Sequence, residues 1–321
     1  MKRNIRLVRQ PTLVAVFLLL GAFALIGCGA QQSEDACEAP AESAAFAKPD
    51  DLWIDETRAT IGKTGRWTNK VELADINSDD LVDVLFANGG DYETPGKPAF
   101  SQVFLNRGPD QKFEEATRRV LPDAMLARVI KVRDVNADGV PNILVGTTYE
   151  TQSQLYLGDG SGDFTNVTKT HLPRIEASIG DLEFGDVDGD ADLDVVLADW
   201  GPGDPMTNEG GRTMLWLNDG TGHFTDVTGA RMPDVAVGFS WELEFVDVDN
   251  DYDLDILVSC KVCKGSFLFK NDGEGASRTS RSRNFPSSST TTISRQWTLM
   301  ATVISMSSPS TMALLAGNIS S

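Results

Sequence analysis

The sequence predicts an all-β fold, a β-propeller of four-stranded antiparallel blades with about four blades present and the ring incomplete. Three observations predict it. One acidic pattern recurs four times, a second apolar element follows each copy, and the copies are spaced like the units of a repeat protein.

The four acidic segments are VELADINSDDLVDVLFA from Val71, IKVRDVNADGVPNILVG from Ile130, LEFGDVDGDADLDVVLA from Leu182 and LEFVDVDNDYDLDILVS from Leu243. Their first aspartates, Asp75, Asp134, Asp186 and Asp247, are separated by 59, 52 and 61 residues. Each segment alternates apolar and polar residues, passes through an acidic loop, and ends in a run of Val, Ile and Leu. That is a hairpin whose second strand is well buried.

The second elements are VFLNRGPDQKFEEAT from Val103, LYLGDGSGDFTNVT from Leu155, LWLNDGTGHFTDVT from Leu215 and FLFKNDGEG from Phe267. An apolar strand, a Gly-rich turn and Phe-x-x-x-Thr make a second hairpin. Two hairpins supply the four strands of a propeller blade.

Together these units resemble the FG-GAP and VCBS repeats of integrin-α-type propellers, over residues 52–275. Trp53-Ile54-Asp55-Glu56-Thr57 matches the end of a unit without its beginning. By that resemblance it is expected to complete the last blade and close the ring.

The acidic loops follow D-x-D-x-D-x-x-x-D, which brings side-chain oxygens from positions one, three, five and nine together when the chain wraps around a point, with a backbone carbonyl at position seven. Calcium accepts six to eight hard oxygen ligands with loose geometry, and carboxylates so gathered repel one another without a cation. Expected calcium ligands are Asp75, Asn77, Asp79, Leu81 and Asp83 in the first loop, and Asp134, Asn136, Asp138, Val140 and Asn142 in the second. The third supplies Asp186, Asp188, Asp190, Asp192 and Asp194, and the fourth Asp247, Asp249, Asp251, Asp253 and Asp255. The second loop, with Asn142 at position nine, carries the least charge and is expected to bind most weakly. The spacing differs from that of an EF-hand, which ends in Glu at position twelve.

The N-terminus sets the compartment. Lys2, Arg3, Arg6 and Arg9 precede an apolar run from Thr12 to Gly27, the pattern of a signal peptide over residues 1–28. Leu25-Ile26-Gly27-Cys28 resembles the bacterial lipobox, so Cys28 is expected to carry lipid. That implies an exported, membrane-anchored bacterial lipoprotein on the periplasmic or cell-surface side. Residues 29–51, rich in Ala, Glu, Ser and Pro, read as a flexible tether.

The formal net charge is −19, and residues 29–275 hold 20 basic against 47 acidic side chains, a balance of −27. Such a surface repels phosphates, which sets nucleic acid aside as a partner. Cys260 and Cys263 form a CxxC that is either a short disulfide or a pair of thiols. Zinc would need two further ligands, and His171 and His223 are the only histidines. His223 reads as a surface residue of a Gly-x-Gly-x-Phe turn.

No catalytic constellation stands out, because glycoside chemistry needs one special carboxylate pair rather than four equivalent loops. The expected function is therefore non-catalytic adhesion or recognition of a protein or carbohydrate ligand. Specificity is expected in the connections Asn88–Ser101 and Asp199–Arg212, which include Asp91-Tyr92-Glu93 and Trp200-Gly201-Pro202; simple long hairpin loops are the other reading of these segments. No Asp-x-Ser-x-Ser adhesion motif is present. The second reading is the propeller domain of a polysaccharide-degrading lyase or hydrolase.

Residues 276–321 contain 13 Ser and 7 Thr, with no acid and no repeat motif. They read as a disordered tail or a frame-shifted one. Joining the last base of each codon to the next two makes Trp297-Thr298 encode Asp, and Met300-Ala301 and Met312-Ala313 encode Gly. The stretch then permits V-D-x-D-G-D-G-D-L-D-V-V-x-V-N-D-G, and residues 276–281 permit F-T-D-V-T. A base gained or lost near codon 275 is the expected finding on sequencing the DNA; a shifted frame that does not encode the repeat discards the idea.

Overall fold

The computed structural model describes residues 53–90, 94–109, 111–263, 265–273 and the backbone of 278–280. The signal peptide, the tether, Asp91-Tyr92-Glu93 and most of the tail lie outside the described residues. Contacts divide the chain into Met1–Ile54 and Asp55–Ser321, and the blades all belong to the second unit.

Four antiparallel sheets form four propeller blades that do not close into a ring. Blade 1 comprises Thr68–Ala74, Asp83–Asn88, Gln102–Leu105 and Glu114–Glu115. Blade 2 comprises Ala127–Arg133, Asn142–Thr147, Gln154–Gly158 and Phe164–Asn166. Blade 3 comprises Ile179–Gly185, Asp194–Asp199, Gly211–Asn218 and Phe224–Asp226. Blade 4 comprises Ser240–Val246, Asp255–Cys260, Phe267–Lys270 and Arg278–Ser280. In each blade the strands pair in sequence order, and the acidic loop joins the first to the second.

Two of the expectations met different outcomes here. Residues 53–56 form no strand, and Trp53 is 86% exposed, so no closing strand is seen among the described residues. The outer strand of blade 4 lies just past the expected boundary at 275, with Phe269 opposite Thr279. The backbone there can pair whatever side chains it carries, because a ladder is made by main-chain groups.

The Thr of Phe-x-x-x-Thr has a definite task. Thr117, Thr168 and Thr228 each begin a four-residue helical turn after an outer strand. Their Oγ1 atoms accept the N–H of Val103 at 3.1 Å, Leu155 at 2.9 Å and Leu215 at 3.0 Å. A strand-three donor that the ladder leaves free is thereby satisfied inside the blade.

The apolar cores lie between blades rather than within them. Blades 1 and 2 enclose one around Leu85, Val103, Ile130 and Ile143. Blades 2 and 3 enclose another around Leu144, Leu155, Leu182 and Trp216, and blades 3 and 4 a third around Val196, Leu215, Leu243 and Phe269. This follows from strand geometry, because alternate side chains point to opposite faces and each blade needs a neighbour on both.

Charges on the innermost strands also link the blades, two pairs across the seams and one, Lys70–Asp181, from blade 1 to blade 3. Arg133 meets Glu72 at 2.9 Å, Lys70 meets Asp181 at 2.6 Å, and Lys131 pairs with Glu183. A bulge early in each inner strand interrupts its register and locally strengthens its twist. In blade 3 the bulge contains Gly180, where a Cβ would stand 2.0 Å from the indole nitrogen of Trp200. That space lets buried Trp200 donate to the Ser240 carbonyl at 2.6 Å.

An amide clasp spans two seams. Asn218 Nδ2 donates to the Val135 carbonyl at 2.7 Å, and Asn271 Nδ2 to the Val187 carbonyl at 2.7 Å, each reaching the acidic loop of the preceding blade. Asn218→Ala leaves Val135 O without this donor in a buried site. It is expected to lower stability by about 1–3 kcal/mol, read as a fall in the urea midpoint at unchanged slope. A midpoint equal to wild type removes the clasp from the account.

Candidate metal centres

The four acidic loops have one backbone conformation. Positions four and six are left-handed in every one: Ser78 and Asp80, Ala137 and Gly139, Gly189 and Ala191, Asn250 and Tyr252, with φ between 55° and 82°. Six of these eight residues are not glycine, so the conformation carries strain that the surroundings must offset.

The position-one carboxylate provides that offset. Asp75 accepts the N–H of Asp79 at 3.2 Å and Asp80 at 2.8 Å, and Asp134 those of Asp138 at 3.3 Å and Gly139 at 2.8 Å. Asp186 accepts from Gly189 and Ala191, and Asp247 from Asn250, Asp251 and Tyr252. Position five closes the turn, with Asp79, Asp138, Asp190 and Asp251 accepting the N–H of Leu81, Val140, Asp192 and Asp253.

Position nine is buried and bonds in two directions. Asp83, Asp194 and Asp255 each accept the N–H of the position-two residue and that of Asn106, Asn218 or Asn271 at the end of the third strand. Asn142 accepts only from Val135 at 2.9 Å, and its Nδ2 is buried without a partner. An amide has a single accepting oxygen, so it repeats half of what the carboxylate does.

The structure brings one carboxylate oxygen from each of Asp186, Asp188 and Asp194 within 4.8 Å of one another, and does the same for Asp247, Asp249 and Asp251. Asp190 and Asp255 stand outside those groups. The side chains of Asp192 and Asp253 lie against Gly220 and Gly273 of the following turn, so at position seven only the backbone carbonyl remains a candidate. Leu81 and Val140 have apolar side chains and leave the same group.

At position three, Asn77 Oδ1, Asn136 Oδ1 and Asp188 Oδ1 are buried and accept no hydrogen bond among the described residues. Asn77 and Asn136 turn their amide nitrogens to Asp79 and Asp138 at 3.0 and 2.9 Å, leaving the oxygens over. In the fourth loop Asp249 is paired with Lys270. Burial pushes the Asp194 carboxyl up to about 7, and burial, assisted by nearby carboxylates, raises Asp83, Asp188 and Asp255. Gathered acids that resist ionisation and orphaned buried oxygens are what a hard cation would relieve.

Part of the sequence also matches known proteins. Residues 75–145 and 134–197 match the family model described as FG-GAP-like repeat, and so run from the first acidic loop through the second strand of blade 3. Residues 75–197 of the propeller thus carry FG-GAP-like repeats. The chain is 27% identical over 166 residues to phosphatidylinositol-glycan-specific phospholipase D of Homo sapiens, covering 43% of this chain and 18% of the relative. Two solved structures also resemble it. An Agrocybe aegerita lectin with specific recognition of non-reducing terminal N-acetylglucosamine has a TM-score of 0.34 and 16% identity, over 66% of this chain and 65% of the lectin. The V. cholerae biofilm matrix protein Bap1 has a TM-score of 0.35 and 15% identity, over 66% of this chain and 39% of Bap1. The propeller thus spans less than a fifth of the phospholipase and under two thirds of either structure.

Two features of the propeller were not visible in the sequence. Trp200, read as a contact residue of an exposed connection, is buried against Phe239 at a ring distance of 4.8 Å. His223 stacks on His171, with ring centres 3.8 Å apart and planes 20° apart, and each Nδ1 faces a Thr hydroxyl. The residues are 52 apart in the sequence, one on the turn after a third strand and one on the helical turn of the preceding blade. Only the seam brings them together.

Burial, then the neighbouring His223, lower the pKa of His171 below 6.5, while Asp219 opposes the shift. The folded protein therefore declines a proton that the unfolded chain takes up, and stability should fall as pH drops through about 6.5. His223→Asn should shrink the fall in urea midpoint between neutral and mildly acidic buffer. An equal fall in both proteins would show that the stacked pair has no part in it.

Proposed function

We propose that this protein is an exported, calcium-stiffened recognition module that binds a protein or carbohydrate ligand without catalysis and is held at a bacterial membrane by lipid on Cys28. The single observation that carries the calcium reading is the set of position-three oxygens, Asn77 Oδ1, Asn136 Oδ1 and Asp188 Oδ1, buried with no hydrogen-bond partner. Their recurrence in three loops of one backbone conformation points to a common occupant rather than three separate faults of packing.

The donor set fits calcium. Oxygens within 4.8 Å of one another can share a cation that binds at about 2.3–2.6 Å, and a mixture of carboxylate, amide and carbonyl oxygens suits a hard ion of flexible coordination. Bound there, calcium supplies charge neutralisation and cross-links the two ends of each loop. Asp75, Asn77, Asp79 and Asp83 would hold it in the first loop, with their counterparts in the others. Loop 2 has the least charge, and loop 4 must first release Lys270 from Asp249, so loops 1 and 3 bind most tightly.

The recognition reading is supported by the rigid repeat scaffold and by four loops that are near-equivalent, an arrangement suited to structural ions rather than to one reaction centre. The strongly negative surface keeps nucleic acid outside the ligand classes.

Calorimetry of chelator-treated protein should show calcium uptake together with a rise in melting temperature. Asp188→Ala and Asp249→Ala should each lower the stoichiometry by about one ion. No heat, no thermal shift and no change in either variant would overturn the calcium reading. Release of reducing ends or unsaturated products from polysaccharides would replace recognition with the enzyme reading.

A further inference from the structure

Each seam in the propeller is built by the same code. Four side chains of one blade, two from its inner strand and two from its second strand, lie against the blade before it. In blade 3 the inner-strand pair is Leu182 and Phe184, and in blade 4 it is Leu243 and Phe245. In blade 2 it is Ile130 and Val132, which are 1% and 5% exposed.

Blade 1 carries the same apolar code, and no blade precedes it among the described residues. Val71 and Leu73, at the matching positions, are 53% and 61% exposed. Val84 and Phe86, the second-strand members, are half-buried, whereas their counterparts Ile143, Val145, Val195 and Leu197 are fully buried. Phe86 rests edge-on against Phe104 at 5.9 Å. A solvated face of an antiparallel blade would alternate to polar residues here, so this one has the composition of an interface.

Blade 4 carries the other half of the code. Leu257, Ser259 and Leu268 stand where blade 3 uses Val196, Ala198 and Leu215 to receive blade 4. The small residue in the middle matters. In blade 2 it is Gly146, where a Cβ would come within 2.5 Å of Val129 and 2.9 Å of Ile179. Ser259 keeps that slot narrow, and Val248, 43% exposed, matches Val187 of the blade 3 loop.

We propose that the exposed face of blade 1 docks onto blade 4 of a second copy of this chain, head to tail, with Val71 and Leu73 inserted over Ser259. One chain presents both halves of a seam that it already makes three times internally, so the partner chemistry is its own. Two copies joined this way contribute eight blades, within the range of about four to eight at which propellers close. A heterologous contact of this kind gives a ring where the rotation closes and a filament where it does not.

Sedimentation velocity on the full chain over a dilution series tests this, and calcium in one arm and chelator in the other keeps it separate from the metal reading. The expected result is a concentration-dependent dimer or longer head-to-tail assembly. Val71→Asp changes a residue that is solvent-exposed in the single copy, so the fold should persist, checked by circular dichroism, while association is lost. Ser259→Arg should abolish it from the other end. An equimolar mixture of the two variants retains one intact seam and should give a discrete dimer that grows no further. A monomer at every concentration, association unaffected by either variant, or a mixture that stays monomeric would each overturn the proposal. A repeat blade supplied in cis, covering the same face, would appear as the first of these.

Discussion

The fold depends on the burial of each blade against the next. A four-stranded antiparallel sheet has two faces, and the continuous apolar runs of the second strands make both of them apolar here. No blade can therefore be stable by itself, and the stabilising area is shared by neighbours in the manner of repeat proteins. The ion pairs of the inner strands and the clasps of Asn218 and Asn271 are arranged around those seams. They align blades that apolar packing has already brought together, a division of labour that fits the small net value of partly exposed ion pairs.

The acidic loops serve the same end from the rim. Each loop joins the inner strand to the second strand, so its conformation sets how those strands leave the seam. Left-handed residues at positions four and six, held by the position-one carboxylate, make the turn tight enough for position nine to reach the third strand. A single aspartate at position nine thereby ties three strands of a blade through two backbone donors. Asn142 does this incompletely, through the Val135 donor alone, and leaves its own Nδ2 buried without a partner.

Much of this was legible in the sequence because it is written in periodicity. The alternation of Leu182, Phe184 and their counterparts gave the inner strands, and the repeated D-x-D-x-D gave the loops. What the sequence withheld is what depends on register between distant repeats. Thr168 could be seen to recur, but that its hydroxyl accepts a strand-three N–H required the strands to be in place. The stacking of His171 on His223 and the burial of Trp200 arise across seams, where no local pattern reports them. Trp53 to Thr57 shows the converse, since a motif that matches an outer strand forms none without three partner strands beside it.

The clasping amide is not distributed evenly. Asn218 and Asn271 bridge the later two seams, but the equivalent position in blade 2 is Gly158, which has no side chain to extend toward blade 1. The first seam is therefore held by its apolar surfaces, the Glu72 contacts, the bonds of Asn69 to Ala127 and Arg128, and the Arg119–Asp163 pair, without an amide clasp. Under mechanical load or partial proteolysis the missing clasp makes this the seam whose separation sacrifices no buried amide bond, so blade 1 would part from blade 2 more readily than blades 2, 3 and 4 from one another.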